Sequence, residues 1–390
     1  MSPQAGRGSG VAMRTADLVV VGSGPAGLSA AIEAGKRGVE TILIEENRSP
    51  GGQLHKQIHK FFGSKEHLAG ARGFEIAETL ATEARKWTTD ILLDTAVHGR
   101  FEDGSLGIVI DSADGDLVKP RAVVLACGAL ERAITFTGWT LPGVMGTGAV
   151  QTMINVHRVR PGRRFLIVGS GNVGLIVAYQ LLQAQAEVIA IVERLPKIGG
   201  WQVHADKVRR LGIPVLTSST VVKAIGEEEV QGVVIATVNE AGEPIAGSER
   251  TLDVDTVCIA AGLKPRAELP LLFGCATVEI PCLGGRIPLR DENMETTVPL
   301  VFVAGDVAGI GEASIAMDQG RLAGIAAAEG LGLGKESELQ KERSTIRARL
   351  RAFNDGPVGK SRAAAEKRIL DELVKARATA RRPRDGQQDV

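Results

Sequence analysis

Aromatic side chains make up only 3% of this 390-residue chain. That scarcity argues against an aromatic cage for a quaternary ammonium ligand, which needs several ring faces at one point. It also argues against nucleic acid as a partner. The basic C-terminal tail has almost no interleaved aromatics on which bases could stack, and its attraction to a polyanion would be salt-dependent and nonspecific. Excess charge is missing as well: 46 Lys and Arg balance 46 Asp and Glu, so the field of the whole molecule selects no polyanionic partner. No apolar run approaches the roughly 18 residues of a membrane span. The N-terminus, MSPQAGRGSGVAMRT, lacks the apolar core of a secretory signal. The expectation is a cytoplasmic chain without a membrane span, with residues 1–14 as a flexible lead.

Cysteine is sparse too. Cys127, Cys258, Cys275 and Cys282 are the only four, too few for a disulfide framework at this length. Cys127 and Cys258 each end an apolar run, where a cysteine serves as a small buried hydrophobe. Cys275 and Cys282 are too far apart for a CxxC pair. No metal site is expected.

Glycine, by contrast, is plentiful and ordered. In DLVVVGSGPAGLSAAIEAGKRGVETILIE, residues 17–45, the apolar run Leu18–Val21 enters the turn Gly22-x-Gly24-x-x-Gly27, carrying Pro25 and Ala26. An alanine-rich helical segment follows, then the apolar run Thr41–Ile44 and the acids Glu45 and Glu46. Strand, glycine turn, helix, strand and an acid roughly 20 residues on form the dinucleotide-binding fingerprint. Gly22 allows the tight turn, Gly24 lets backbone N–H groups approach a pyrophosphate, and Gly27 lets helix and strand pack closely. Glu45 can accept hydrogen bonds from ribose hydroxyls.

The fingerprint then repeats. Phe165–Val168 is the strand, Gly169-x-Gly171-x-x-Gly174 the turn with Asn172 and Val173, Leu175–Gln185 the helix, Glu187–Val192 the next strand, and Glu193 the acid. Two complete fingerprints imply two nucleotides. A carboxylate at 193 would repel a 2′-phosphate, which favours NAD over NADP; the adjacent Arg194 moderates that preference.

Between the fingerprints, ENRSPGGQLHKQIHK brings Gly51 and Gly52 near a cofactor and sets out Gln53, His55, Lys56, Gln57, His59 and Lys60. His55 and His59, at i and i+4, would share one face of a helix. A metal pair, an active-site lining that draws in an anionic substrate, and a solvated cationic face are the alternatives. Residues 73–87 have helical spacing. Short strands are expected near 91–97, 106–111 and 121–126, with turns at Asp103-Gly104 and Asp114-Gly115. Two similar apolar strands, VVLACGALE and DTVCIAAGL, run into Gly128 and Gly262, where backbone can pass close to a cofactor.

Near residue 300, VPLVFVAGDVAGIGEAS places Gly305-Asp306 at the end of a strand and starts a helix around Glu312. An aspartate there can bind a sugar-like hydroxyl, and the free amides at the helix start, around Ala313 and Ser314, suit an electron-rich ring oxygen. Those are the needs of a flavin. From Lys335 onward the composition changes, with 15 basic and 9 acidic residues. Ile346, Leu350 and Phe353 fall on one helical face, for packing on the chain's own domain or docking a partner. The end, RRPRDGQQDV, is expected to be disordered.

On both fingerprints and Gly305-Asp306, the chain resembles the two-dinucleotide-binding-domain flavoproteins over about residues 15–330. The resemblance implies an α/β fold with two Rossmann-like domains of the glutathione/thioredoxin-reductase kind. An FAD domain (15–140 and 262–333) would hold an inserted NAD domain (141–261), followed by a charged helical tail (334–390). FAD would lie on Gly22, Gly24, Pro25, Ala26, Gly27, Glu45, Glu46, Gly52, Gln53, Gly128, Gly305, Asp306, Ala313 and Ser314. NAD(H), with NADP less favoured, would lie on Gly169, Gly171, Asn172, Val173, Gly174, Glu193, Arg194 and Gly262. Disulfide reductases of this superfamily carry a cysteine pair either after the first Gly-Gly or before the second fingerprint. This chain has Gly52-Gln53-Leu54-His55 and Val144-Met145-Gly146-Thr147 there, so disulfide reduction is rejected.

The segment GALERAITFTGWTLPGVMGTGAVQTM, residues 128–153, is similar to that of α-type subunits of sarcosine oxidase, dye-linked proline or hydroxyproline dehydrogenase, opine oxidase and hydrogen cyanide synthase. The implied function is an FAD-dependent oxidoreductase, the α-type subunit of an amine or amino-acid dehydrogenase or oxidase. Gln53, His55 and Lys56 would line its flavin site, and the implied partner is a β-type flavoprotein or iron–sulfur subunit. The rivals are a stand-alone NADH-dependent flavin reductase of a quinone or small carrier, and a non-catalytic nucleotide-binding assembly subunit.

Overall fold

Strand formation begins before the apolar run. In the computed structural model, which describes residues 13–355 and 359–380, β1 spans Met13–Val21. Met13 and Arg14, expected in a flexible lead, pair with Leu117 and Val118; residues 1–12 lie outside the described part. The chain divides into two compact units. The first holds the described residues to His55, with His59–Ala129 and everything from Pro265; the second holds Lys56–Ile58 and Leu130–Lys264.

In the first unit, α1 (Pro25–Gly35) starts with Pro25, whose missing N–H would have had no partner there anyway. Next come β2 (Thr41–Ile44), α2 (Gly73–Trp87), β3 (Asp90–Leu92), β4 (Thr95–Arg100), β5 (Leu106–Ile110) and β6 (Asp114–Leu125). Asp103-Gly104 turns as expected, with Ser105 N–H donating to Asp103 Oδ1 at 3.0 Å. Asp114-Gly115 does not: it opens β6, and the turn before it is made by Asp111 and Ser112, at φ 49° and 59°. An aspartate's short polar side chain tolerates that left-handed backbone.

The second unit follows with β7 (Val144–Gly146), α3 (Thr147–Gln151), β8 (Arg164–Val168), α4 (Asn172–Gln183), β9 (Glu187–Val192), α5 (Gln202–Arg210) and β10 (Val215–Leu216). Strands β11 (Ser219–Ile225), β12 (Gly232–Thr237) and β13 (Arg250–Leu252) form an antiparallel sheet. Strand β14 (Thr256–Ile259) completes a five-stranded parallel sheet of order β10-β9-β8-β14-β7. The order reverses beside β8, so its carboxyl end faces a crevice, the usual ligand position in such sheets.

Back in the first unit come the hairpin β15 (Thr277–Ile280) and β16 (Gly285–Pro288), β17 (Val301–Val303), α6 (Ala313–Gly330), α7 (Glu336–Ala352) and α8 (Gly359–Ala380). This sheet runs β3-β2-β1-β6-β5-β4, with β17 parallel to the end of β6. The reversal here is beside β1. Helices α1 and α6 pack backbone to backbone, since a Cβ on Gly320 or Gly324 would collide with the backbone of Ala26 or Ala30.

The tail packs on its own unit. In α7, Leu339 and Ile346 are buried in the core that includes α1 and α6, with Leu350 against it. Ala365, Ile369 and Leu373 of α8 are buried with Ile280, Leu283, Ile287 and Leu289, at about 1.5–3 kcal/mol for each large side chain. Residues 381–390 lie outside the described part. Among the described residues no helix is long and apolar enough to cross a membrane.

Candidate functional site

The first glycine turn is closed by a carboxylate. Glu45, 4% exposed, accepts at Oε2 from Ser23 N–H (2.8 Å) and Ser23 Oγ (2.5 Å). Its Oε1 accepts from the backbone (3.0 Å) and side-chain (2.6 Å) amides of Asn47. These four donors fill the carboxylate's acceptor capacity. Gly22 has φ +96° and abuts Ala126, and a Cβ on Gly27 would strike the Gly22 carbonyl. Gly24 has open space where its Cβ would point, and Gly52 lies against it, within 2.9 Å of the Gly24 Cα by its own Cβ position. Glu46 is drawn away to Arg266, at 2.8 Å.

The second turn repeats this wiring. Glu193 Oε2 accepts from Ser170 N–H (2.9 Å) and Oγ (2.6 Å), and Oε1 from Leu195 N–H (2.9 Å). Gly199 N–H donates to Ser170 Oγ (3.0 Å), as Gly51 N–H does to Ser23 Oγ (3.3 Å). Gly199-Gly200 thus matches Gly51-Gly52, six residues after the acid in each copy, a repeat that motif reading passed over. Gly174 abuts the Gly169 carbonyl, and Gly171, like Gly24, faces open space. Val173 is 40% exposed where Ala26 is 4%. Arg194 is exposed, reaching the Ala241 carbonyl at 3.4 Å. Gly262 (φ +101°) and, in the first unit, Gly128 (φ +72°) end their strands in conformations that favour glycine.

Gly305-Asp306 meets the first turn from the other side. Gly305 packs its α-carbon side against Ala26 and donates its N–H to Gln319 Oε1 at 2.9 Å. Asp306 Oδ1 accepts from Gly311 N–H at 3.1 Å. Burial pushes the Asp306 carboxyl up to about 6, against the Gly311 N–H and the nearby Arg362. Ala316 N–H is the first to bond within α6, to Glu312, so the amides of Ala313 and Ser314 are available at the helix start.

Gln53, His55 and Lys56 fare differently. Gly52–Lys56 is a 3₁₀ turn that does not continue, so His55 and His59 share no helix face. Residues 57 and 58 take no regular structure, so the turn ends between the two histidines. His55 Nε2 donates to the Pro50 carbonyl at 2.7 Å, and His59 stacks on Phe61 with centroids 5.0 Å apart. Gln53 is exposed.

Lys56 belongs to the second unit, in a polar cluster around α3. Its Nζ donates to the Gly148 carbonyl at 3.4 Å, and its own carbonyl accepts from Asn155 Nδ2 at 2.7 Å. Burial holds the ammonium below its usual range, with the Glu131 charge opposing. Glu131 Oε1 accepts from Thr147 Oγ and Gly148 N–H, both 2.6 Å, and Thr147 Oγ also reaches the Ile259 carbonyl at 3.2 Å, at the end of β14. A Cβ on Gly148 would lie 2.7 Å from Lys56 Nζ and 3.1 Å from Glu131 Oε2. Reading the sequence does not bring out Glu131, whose partners are far along the chain.

None of the four cysteines is paired. Burial pushes the Cys127 thiol up to about 11 and Cys258 higher still, which makes both poor nucleophiles.

Comparison with known proteins agrees with this geometry. The model of the family described as pyridine nucleotide-disulphide oxidoreductase matches residues 16–320. The HcnB component of hydrogen cyanide synthase from Pseudomonas aeruginosa is 31% identical over 328 residues, 79% of this chain and 69% of that protein. One of the subunits of opine oxidase from Agrobacterium tumefaciens is 29% identical over 345 residues, 81% of this chain and 66% of that protein. The chain therefore spans about two thirds of the length of these relatives. It spans 33% of the alpha subunit of a Corynebacterium sarcosine oxidase, at 27% identity over 83% of this chain. In fold, thioredoxin reductase of T. acidophilum matches with TM-score 0.67 and 22% identity, covering 81% of this chain and 98% of that one. L-proline dehydrogenase of P. horikoshii matches with TM-score 0.65 and 22% identity, covering 85% and 59%. The chain binds FAD and a nicotinamide nucleotide.

Proposed function

Because the chain belongs to the pyridine nucleotide-disulphide oxidoreductase family, we propose that it works as the α-type subunit of an enzyme that oxidises an amine or amino acid. It would do so with a β-type flavoprotein or iron–sulfur partner. The observation that carries this reading is the cluster at α3. Where a disulfide reductase needs two thiols, this chain sets a lysine and a carboxylate around Gly148. Two of its relatives, components of an opine oxidase and of a sarcosine oxidase, point by name to the same chemistry.

Bound FAD supplies the acceptor for a hydride leaving a carbon next to nitrogen, and the protein supplies position and electrostatics. The groups expected to hold it are the Gly22–Gly27 turn, Asp306 and the start of α6; the open side of Gly24 fits such a group. An amine must be neutral before it can lose hydride. Within the second unit, burial weakens the hold of Lys56 Nζ on its own proton. Glu131, fixed by Thr147 and Gly148, stabilises the lysine when it is protonated. The Gly169–Gly174 turn and Glu193 are the expected NAD(H) site.

The second reading, an NADH-dependent flavin reductase acting alone, draws on the second turn's repeat of the serine–acid wiring at Glu193. Anaerobic stopped-flow absorbance separates the two. With the purified chain, bleaching of the flavin band by a secondary amino acid makes this chain the site of substrate oxidation. Fast bleaching by NADH with steady turnover on a quinone supports the flavin reductase. No response to either ends both readings.

A further inference from the structure

Within the second unit, the cluster at α3 leaves a gap between an amine and a carboxylate. A Cβ on Gly148 would stand 2.7 Å from Lys56 Nζ and 3.1 Å from both the carboxyl carbon and Oε2 of Glu131. Glycine has no such atom, so the place is free for one carbon of another molecule, within the roughly 3 Å at which a nucleophile attacks. Gly146, at the end of β7, makes room on the other flank, since a Cβ there would collide with Glu131 Oε2. Thr147 Oγ and Gly148 N–H hold Glu131 Oε1, both at 2.6 Å, while Oε2 accepts no hydrogen bond among the described residues. Lys56 is anchored at its base and loose at its tip. Its carbonyl accepts from Asn155 Nδ2 at 2.7 Å, but Nζ reaches the Gly148 carbonyl only at 3.4 Å, beyond the about 2.7–3.2 Å of a firm N–H···O bond. Glu131 is exposed and Lys56 half-buried, so the pair is reached from solvent. A lysine attacks carbon only as the neutral amine, the form that burial favours here against the Glu131 charge.

We propose that Lys56 is a covalent binding site for a small neutral aldehyde, held as an imine, with Glu131 Oε2 as the proton shuttle. Lys56 Nζ adds to the carbonyl carbon. The two protons that the nitrogen loses pass by way of Glu131 Oε2 to the carbonyl oxygen, which departs as water. A C–N double bond replaces the C–O double bond, and no electrons are gained or lost. The Glu131 carboxylate favours a neutral aldehyde over an α-keto acid, because it would repel a second carboxylate at this range. None of this needs the flavin, so the inference stands apart from the function proposed above. Amine oxidation nevertheless yields aldehydes when its imine product takes up water.

The test mixes the full chain with acetaldehyde and an excess of sodium cyanoborohydride, which reduces each imine to a stable ethylamine as fast as it forms. Peptide mass spectrometry then follows the labelling of every lysine. Lys56 should be ethylated about tenfold faster than Lys60 and Lys65, which are exposed. Glu131→Gln should slow Lys56 about tenfold, as loss of a proton shuttle does, and leave Lys60 and Lys65 unchanged. Acetic anhydride, which acylates an amine without the dehydration step, is the control. There Glu131→Gln should not slow Lys56, since it only removes a charge that holds the lysine's proton. Equal ethylation of Lys56 and Lys60 in the wild type overturns the proposal. So does a Glu131→Gln variant that leaves ethylation of Lys56 unchanged, or one that slows ethylation and acylation alike, because Glu131 would then merely support the fold around Lys56.

Discussion

The two glycine turns share one wiring and differ in cover. In both, a serine after the first glycine is held by an acid through N–H and Oγ, and a Gly-Gly pair is tied back to that serine. The first is roofed. Helix α6 lies backbone to backbone on α1, Gly305 seats on Ala26, and Glu45 is wholly engaged. The second is open: Val173 and Arg194 face solvent, and Glu193 keeps one acceptor site free among the described residues. A roof of helix and loop suits a resident cofactor, and an accessible turn suits a nucleotide that must leave after each reaction.

The roof itself offers the sharpest test. Asp318 of α6, fully buried, is bonded by His67 Nε2 (3.1 Å), Arg321 Nη1 (2.6 Å) and the Arg349 fork from α7 (2.6 and 3.0 Å). Burial alone would raise its pKa, but these three donors win and hold it well below the usual carboxylate range. Asp318→Ala leaves three donors around an empty site and should destabilise the first unit by about 3–5 kcal/mol. Urea unfolding should show the loss there and an unchanged second unit. Because the folded pKa is depressed, Asp318 stabilises fully above about pH 4, and that contribution is lost as pH falls below it.

Asp306 behaves oppositely. Its pKa rises from 3.8 to about 6, so the stripped protein prefers it protonated and loses stability as pH climbs between those values. Two pKa units correspond to at most about 3 kcal/mol. Asp306→Asn should therefore melt higher than wild type at pH 7 and equal to it near pH 3.5, measured without FAD. A difference that ignores pH would remove the raised carboxyl.

The turns themselves can be broken separately. Gly27→Ala and Gly174→Ala each drive a methyl into a carbonyl, at about 1–3 kcal/mol of strain. The first should purify with little flavin. The second should keep its flavin and lose reduction by NADH, as absorbance before and after NADH addition would show.

The smallest effect concerns choice of nucleotide. Glu193→Ser removes a carboxylate that holds the turn and disfavours a 2′-phosphate. It should raise the KM for NADH about tenfold, or 1.4 kcal/mol, and narrow the gap to NADPH. An unchanged ratio of kcat/KM values would strip Glu193 of that role.

Local pattern carried much of this. Strand, glycine turn, helix, strand and acid are contiguous, and each residue type there does a steric job that composition cannot disguise. The Gly199-Gly200 repeat was equally available, since its spacing from the acid copies that of Gly51-Gly52. The pair His55 and His59 misleads because i,i+4 spacing has meaning only on a helix, and the 3₁₀ turn stops at Lys56, between them. Asp114-Gly115 misleads similarly: pairing with Ile110 and Val109 draws both residues into a strand.

The sequence by itself determined the α/β class, the two nucleotide turns, the acids that close them and the lack of a cysteine pair, because these depend on residues within one βαβ stretch. Tertiary structure alone decided the rest. It gathered Lys56, Glu131 and Gly148 from three distant segments, hid Asp318 among donors from α7 and the 64–67 turn, and placed Arg362 beside Asp306. Such contacts are set by how helices and sheets stack, and burial, which moves the pKa values of Lys56 and Asp306, exists only once they have.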